Sequence, residues 1–290
     1  MDFTKGAKVA TKKQNKKLPS KLDINFFKEK LDYDTLKLKV LESSYKNNLS
    51  HIPSALSMLR YLSIMVPLMR WKYPEYEWVA GKQFGQQSFY SIYETLKEYG
   101  LDNLIPQDGE EVYRPLLLNN INKEFVFIEE TLGNSIGIAI GLALSQKRPI
   151  WINLSDSVFQ MGRVQEALRV ISHHQLNIFI TIDGNGCTRC VSEPKDAYQY
   201  YGRKNPSEYV QDLFIANNIE SIIVPAYHPK DIKNIFDIVE EFAKKNNPRA
   251  IYFDTIKGDG VFEFETDPVG WHYKKMSEKE YNQIISGVKK

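Results

Sequence analysis

Two polar side chains of the kind that binds divalent cations lie within three residues of the ends of apolar segments of the chain. Asp156 comes just after the apolar run 150–154, and Asn185 comes just after the run 178–182, 29 residues beyond Asp156. A strand-helix-strand unit with short connections builds a parallel sheet, and ligands bind beyond the carboxyl ends of such strands. A carboxylate and an amide oxygen facing one crevice suit Mg²⁺, which takes few protein ligands besides phosphate oxygens. The backbone carbonyl of Cys187 is the candidate third ligand.

The elements that must position these residues alternate between strands and helices. This alternation predicts an α/β fold with a mostly parallel sheet covered by helices on both faces. The predicted strands are 78–80, 150–154, 178–182, 219–224 and 249–255, and the predicted helices are 53–65, 87–99, 133–146, 158–174, 229–245 and 277–288. Residues 32–46 fit a helix only loosely. Pro67 and Pro74 are expected to end the helix that begins near Pro53.

Four stretches resemble motifs of thiamine-diphosphate enzymes, and three of them resemble the transketolase family in particular. The spacing from Asp156 to Asn185 is similar to the diphosphate-binding motif, which runs from GDG to an asparagine. The other three are residues 50–53 (SHIP), similar to SGHPG, residues 131–135 (TLGNS), similar to PLGQG, and residues 255–261 (TIKGDGV) with 269–272 (VGWH), similar to TVKGKGV and VGWH. The likeness follows the family's order over about residues 33–285. It implies a thiamine-diphosphate-binding fold with thiamine diphosphate and Mg²⁺ as cofactors.

The resemblance also assigns roles to individual residues. It implies that His272 and His51 are catalytic, because imidazoles beside the diphosphate and substrate channel bind phosphate or move protons. The implied cofactor contacts are Ser155, Asp156, Ser157, Asn185, Leu132, Gly133, His51 and His272, and the implied metal ligands are Asp156, Asn185 and Cys187. Three alternatives remain open: that Asp156 only caps the following helix, that Asn185 only forms a turn with Gly186, and that the two histidines have no chemical role.

Several positions depart from the family's pattern. Ser155 and Ser157 stand where glycines are usual, Met161 stands where glutamate is common, and Phe84 stands where the family has a histidine. The stretch 101–130 contains no histidine, although the family has one there. A buried sugar hydroxyl without its imidazole partner is costly. The departures therefore suggest a two-carbon donor other than a ketose phosphate, such as pyruvate after decarboxylation.

The resemblance predicts a partner chain. In the family, a second domain that binds the pyrimidine ring follows the diphosphate domain, whereas this chain stops at Lys290. We therefore expect an N-terminal subunit that is inactive alone and works with a separate C-terminal transketolase-like subunit as an α₂β₂ heterotetramer. The pair would transfer a two-carbon unit from a ketose or 2-oxo acid donor to a sugar-like acceptor. Glu166 matches an acidic position near the family's subunit contact, or it is an ordinary solvated helix residue.

Two other classes of function remain alternatives. One is a subunit of a thiamine-diphosphate 2-oxo acid decarboxylase or dehydrogenase that uses pyruvate. The VGWH segment at 269–272 argues against it, but the missing histidines keep it open. The other is a non-catalytic relative that acts as a scaffold, and the substituted motif positions favour it.

Composition and charge indicate how the chain divides into a domain and a tail. The 290 residues are 42% hydrophobic, which is enough for one large domain over residues 22–290. Residues 1–21 hold seven lysines and one acid, so this tail carries +6 while the whole chain carries only +2. We expect a flexible tail there, because it lacks the interleaved aromatic side chains of a nucleic-acid arm.

The chain also lacks the usual marks of export. It has no apolar segment of a signal peptide and, as read from the sequence, no apolar run of membrane-spanning length. Cys187 and Cys190 alone do not make a zinc site. We therefore expect reduced thiols, a cytoplasmic location, and neither membrane nor nucleic acid as a partner.

Overall fold

A parallel sheet forms the centre of the fold. The computed structural model describes residues 24–80, 85–101, 104, 132–187 and 205–288. Its strands are β1 (Glu77–Ala80), β2 (Ile150–Ser155), β3 (Ile178–Gly184), β4 (Glu220–Pro225) and β5 (Arg249–Asp254). Within the described ranges they pair in the order β1-β2-β3-β5-β4, and each neighbouring pair is parallel. The predicted α/β fold is confirmed.

Helices cover both faces of this sheet. They are α1 (Ile24–Lys30), α2 (Tyr33–Lys46), α3 (Ile52–Lys72), α4 (Gln86–Glu98), α5 (Ser135–Gln146), α6 (Gly162–His173), α7 (Pro206–Ala216), α8 (Asp231–Ala243), α9 (Phe262–Thr266) and α10 (Glu278–Val288). A 3₁₀ turn, Asp156–Gln160, lies between β2 and α6. The buried apolar side chains form two cores, one on each side of the sheet.

Successive residues of the central strands point into different cores. Trp151 of β2 lies in the core with α2, α3, α4 and α8, whereas its neighbours Ile150 and Ile152 lie in the core with α5, α6 and α7. All six residues of β2 are buried, as expected for a strand covered on both faces. Each large apolar side chain buried this way contributes about 1.5–3 kcal/mol. The two cores therefore hold the strand ends in fixed positions.

The strand register brings the carboxyl ends of three strands to one edge. Ser155 of β2 lies opposite Asp183 of β3, and Gly184 of β3 lies opposite Asp254 of β5. The residues that follow β2, β3 and β5 therefore emerge side by side. This is the edge of the sheet at which the sequence predicted a ligand site.

The longest helix, α3, differs from its prediction. It continues through Pro67 to Lys72 rather than ending near Pro67. Among the described residues it is the one helix long and apolar enough to cross a membrane by length and composition, which the sequence reading did not recognise. The apolar window of α3 is completely buried within the fold. Burial on all sides identifies a core helix and holds its turns together around Pro67.

Other helix ends show which local signals were reliable. Residues 32–46 do form a helix, α2, and the Asp32 side chain accepts a hydrogen bond from the Thr35 amide at 3.0 Å. Ser277 and Glu280 cap α10 reciprocally. The helix predicted at 158–174 begins only at Gly162, because the chain first makes the 3₁₀ turn.

Several predictions fall outside the described residues. These are the flexible tail at 1–21, the segment 82–84 with Phe84, the histidine-poor stretch apart from Leu101 and Leu104, and Cys190. They stay predictions.

Candidate active site

Asp156 joins the ends of β2 and β3. Its side chain is fully buried, and its Oδ2 accepts a hydrogen bond from the Gly186 amide at 2.9 Å. Its Oδ1 accepts one from the Ser155 hydroxyl at 3.3 Å. The residue that precedes α6 is Met161, so Asp156 does not occupy the capping position of that helix. The carboxylate reaches across to the turn after β3, and the two strand ends meet as the sequence predicted.

Asn185 stands in that turn with its amide held on both sides. The nitrogen Nδ2 donates to Asp183 Oδ2 at 2.9 Å and lies 3.3 Å from Ser57 Oγ. The oxygen Oδ1 accepts from the Cys187 amide at 3.0 Å. An amide oxygen has two lone pairs, so this hydrogen bond leaves one for a metal ion.

These donors fit a magnesium ion that is shared with a phosphate. Asp156 and Asn185 offer two oxygens of the kind that Mg²⁺ binds. Across the described ranges, no group of three or more His, Cys, Asp and Glu side chains could hold a metal ion. With two side-chain oxygens, the residues present suit an ion that takes its other ligands from phosphate oxygens and water. Cys187 is half-buried beside them, and its carbonyl remains the candidate third ligand.

The serines that replace two glycines are accommodated without strain. Ser155 has extended backbone angles, φ −94° and ψ 149°, which any residue adopts. Its hydroxyl lies 2.9 Å from that of Ser157 and donates to Asp156. The backbone at Ser155 therefore does not require glycine, and the Ser155 hydroxyl helps to orient the carboxylate.

The two predicted histidines lie together. The rings of His51 and His272 are edge to face with their centroids 4.6 Å apart, and Tyr273 packs against both. The His51 amide donates to the His272 carbonyl at 2.9 Å. His51 has a left-handed backbone, φ 63°, just before α3. Residues more than two hundred positions apart in sequence thus form one imidazole pair.

Lys257 lies beside this imidazole pair, and the sequence analysis assigned it no role. Its Nζ lies 3.2 Å from His272 Nδ1, and its side chain is buried. Burial lowers the pKa of Lys257, while the charges of Cys187 and Asp156 act in the opposite direction. When Lys257 is an ammonium group it donates to Nδ1, and the proton of a neutral His272 ring then lies on Nε2. The available signal was the lysine of the TIKGDGV segment.

The loop that carries Lys257 is anchored to α3. The Gly258 amide donates to the Pro53 carbonyl at 2.9 Å, and Gly258 has φ +86°. Arg60 of α3 donates to Asp259 Oδ2 at 2.8 Å, and both side chains are buried. Asp259 occupies the position of the second lysine in TVKGKGV. The contact with the buried Arg60 guanidinium explains why this position holds an acidic residue.

Gly133 and Leu132 lie against the start of α6. Gly133 has φ +84°, and a Cβ there would lie 2.9 Å from Val164 Cγ2 and 3.2 Å from Met161 Sδ. Leu132 is half-buried against the same core. Asn134 accepts a hydrogen bond from Arg163. The structure places this turn beside the beginning of α6, and its described contacts are with that helix.

Gly133→Ala is expected to destabilise the protein. A side chain in this backbone conformation costs about 1–3 kcal/mol, and the close approach to Val164 adds to the cost. The matched control is Gly137→Ala, since Gly137 lies inside α5 and its Cβ would meet open space. Removing that glycine should stabilise by about 0.5–1 kcal/mol. Urea unfolding measures both, and equal effects of the two substitutions would contradict the expectation.

Glu166 lies on the exposed face of α6. It pairs with Arg169 at 3.3 Å, and its side chain is 69% exposed. This exposed environment is typical of a solvated glutamate on a helix. Its match to a subunit contact stays a prediction.

Solved transketolases have a similar fold. The transketolase of Campylobacter jejuni matches with a TM-score of 0.64 and 18% identity over 92% of this chain and 43% of that chain. The Leishmania mexicana enzyme matches with a TM-score of 0.61 and 15% identity over 93% of this chain and 42% of that chain. A Pichia stipitis transketolase variant in complex with fructose 6-phosphate matches with a TM-score of 0.64 and 17% identity over 92% of this chain and 41% of that chain.

Comparisons of the sequence with family models and with curated proteins found no match. The chain spans less than half the length of the transketolases that it resembles in structure. With a parallel sheet and this likeness over nine-tenths of its length, the chain has a transketolase-like fold.

Proposed function

We propose that this chain is the diphosphate-binding subunit of a two-subunit, transketolase-like enzyme. The single observation that carries the proposal is the hydrogen bond between the Asp156 carboxylate and the Gly186 amide. This contact joins the predicted metal ligand to the turn that carries Asn185. Lys257 and His272 stand beside it on the loops that follow β5. The fold and the residue types together favour a phosphate-linked cofactor.

In this proposal Asp156, Asn185 and the Cys187 carbonyl hold Mg²⁺, and Lys257 faces the diphosphate. When bound, thiamine diphosphate supplies the nucleophilic carbon that carries a two-carbon unit. Lys257 would balance phosphate charge within the buried surroundings that lower its pKa. Its contact keeps the proton of neutral His272 on Nε2, from which it can be given to a substrate oxygen. His51 buttresses His272 through ring and backbone contacts.

The partner is a separate subunit that carries the pyrimidine-binding domain, in an α₂β₂ assembly in the cytoplasm. The chain matches 43% of the length of the C. jejuni transketolase. The donor is either a ketose phosphate or a 2-oxo acid such as pyruvate. The absence of histidine from the sequence 101–130 favours the 2-oxo acid. The 2-oxo acid alternative therefore applies only to the identity of the donor.

Calorimetric titration of thiamine diphosphate with Mg²⁺ tests the proposal. The chain should be titrated alone and with the candidate partner chain. We expect binding that appears or tightens by at least about 10-fold with the partner, because the partner completes the site. A donor screen of the complex should then give two-carbon transfer to a sugar-like acceptor. A folded, confirmed complex that binds no cofactor would contradict the enzyme proposal and favour a scaffold.

A further inference from the structure

We propose that Asp183 is a positioning residue that sets the orientation of the Asn185 amide and thereby the geometry of the metal site. The inference rests on the proposed function, since it concerns the same site. Asp183 lies in β3, two residues before Asn185, and its side chain is fully buried. The sequence analysis gave this residue no role.

The Asp183 carboxylate accepts hydrogen bonds from three parts of the chain. Its Oδ1 accepts from the Thr255 hydroxyl at 2.6 Å. Its Oδ2 accepts from the Ser57 hydroxyl of α3 at 2.7 Å and from Asn185 Nδ2 at 2.9 Å. The distances are those of charge-assisted hydrogen bonds. Asp183 therefore ties α3, the end of β3 and the loop after β5 to one point.

These contacts select one of the two orientations of the Asn185 amide. A carboxylate only accepts hydrogen bonds, so the group facing Asp183 must be the NH₂ group. The single hydroxyl hydrogen of Ser57 is taken by Asp183 or by the Ser54 carbonyl, so Ser57 accepts from Asn185 as well. Both neighbours thus require the NH₂ group on the inner side. The oxygen then faces the Cys187 amide, on the side of the turn that continues to Gly186 and Asp156.

The orientation matters because only the amide oxygen can bind a metal ion. The reversed amide would present NH₂, which repels a cation, and would leave the Cys187 amide without this acceptor. The same carboxylate holds Thr255, and the Thr255 amide donates to the Gly184 carbonyl at 3.2 Å. Asp183 thus also fixes the start of the loop that carries Lys257. One buried carboxylate therefore holds both the turn of Asn185 and the loop that carries Lys257.

Asp183→Asn in the complex with the partner tests the proposal. The introduced amide can donate as well as accept, so both orientations of Asn185 become possible. We expect Mg²⁺ affinity, measured by calorimetry with thiamine diphosphate, to fall by about 10–100-fold, as for other residues that orient metal ligands. Thr255→Val is the matched control. It removes a different donor from the same carboxylate, so its loss of affinity should be smaller.

The exchanged double variant, Asp183→Asn with Asn185→Asp, separates orientation from mere structural support. It restores one donor and one acceptor at the same two positions, with the acceptor toward the crevice and the same net charge. We expect it to recover metal affinity relative to Asp183→Asn. Failure to recover, at a thermal stability equal to that of the single variant, overturns the proposal. Unchanged affinity in Asp183→Asn overturns it too.

The side-chain amide signals of Asn185 in ¹H–¹⁵N spectra give a readout that needs no cofactor. We expect two distinct, exchange-protected protons in the protein as it stands, and loss of that protection in Asp183→Asn. Identical signals in both proteins overturn the proposal. If the complex of the unaltered chain binds no cofactor while these signals respond as expected, the proposed function fails and the orientation by Asp183 stands.

Discussion

Asp156→Ala is expected to abolish metal-dependent binding of thiamine diphosphate by the complex. The substitution removes the one carboxylate among the proposed metal ligands. A residue that only orients a ligand is worth about 10–100-fold in metal affinity, so loss of the ligand itself should exceed about 100-fold. The Gly186 amide and the Ser155 hydroxyl would also lose their acceptor, which costs about 1–3 kcal/mol of stability. Calorimetry with Mg²⁺ and urea unfolding measure the two effects separately.

Two further variants distinguish the metal from the fold. Asp156→Asn keeps an oxygen for the Gly186 amide, so it should lose less stability than alanine while still losing most metal affinity. Asp237→Ala removes a carboxylate of α8 that is exposed and paired with Lys233, and it should change neither quantity appreciably. Cofactor binding by the Asp156→Ala complex with the affinity of the unaltered complex would refute the assignment of this residue.

Asp259→Ala is expected to destabilise the protein by about 3–5 kcal/mol. It leaves the Arg60 guanidinium buried without the carboxylate that it contacts at 2.8 Å, and uncompensated buried charge is strongly unfavourable. The Arg60 side chain also stacks on the Tyr33 ring, 3.8 Å from its centroid, so it has little freedom to reach water. The free energy of unfolding in urea measures the loss. A loss below about 1 kcal/mol would show that the pair is solvated in solution.

The controls for this prediction lie in the same chain. Replacing both partners, Arg60→Met with Asp259→Leu, should cost much less than the single change, because no charge is left buried. The exposed pair Lys97 and Glu94 is a matched surface case at the same distance of 2.8 Å, and breaking it should change stability by less than about 1 kcal/mol. Since Asp259 lies two residues after Lys257, Asp259→Ala should also weaken cofactor binding.

The sequence by itself determined the layers of the fold and the meeting of two strand ends. Apolar runs and their periodicity are local signals, and they located β2, β3, β4 and β5 to within two residues at either end. Parallel strands end at a common edge, so the prediction that Asp156 and the turn of Asn185 meet needed no further information. The resemblance placed His51 and His272 in two separate motifs, and the structure shows that their rings are in contact.

Only the tertiary structure decided how the side chains of that edge are held. The 3₁₀ turn at Asp156–Gln160, the passage of α3 through Pro67 and the contacts of Lys257 and Asp183 were not evident from the sequence. The physical reason is the sequence distance over which these contacts act. Ser57 meets Asp183 across 126 residues and Arg60 meets Asp259 across 199, and no local pattern encodes such pairs. They exist because α3 and the chain after β5 pack into the same core, on one face of the sheet.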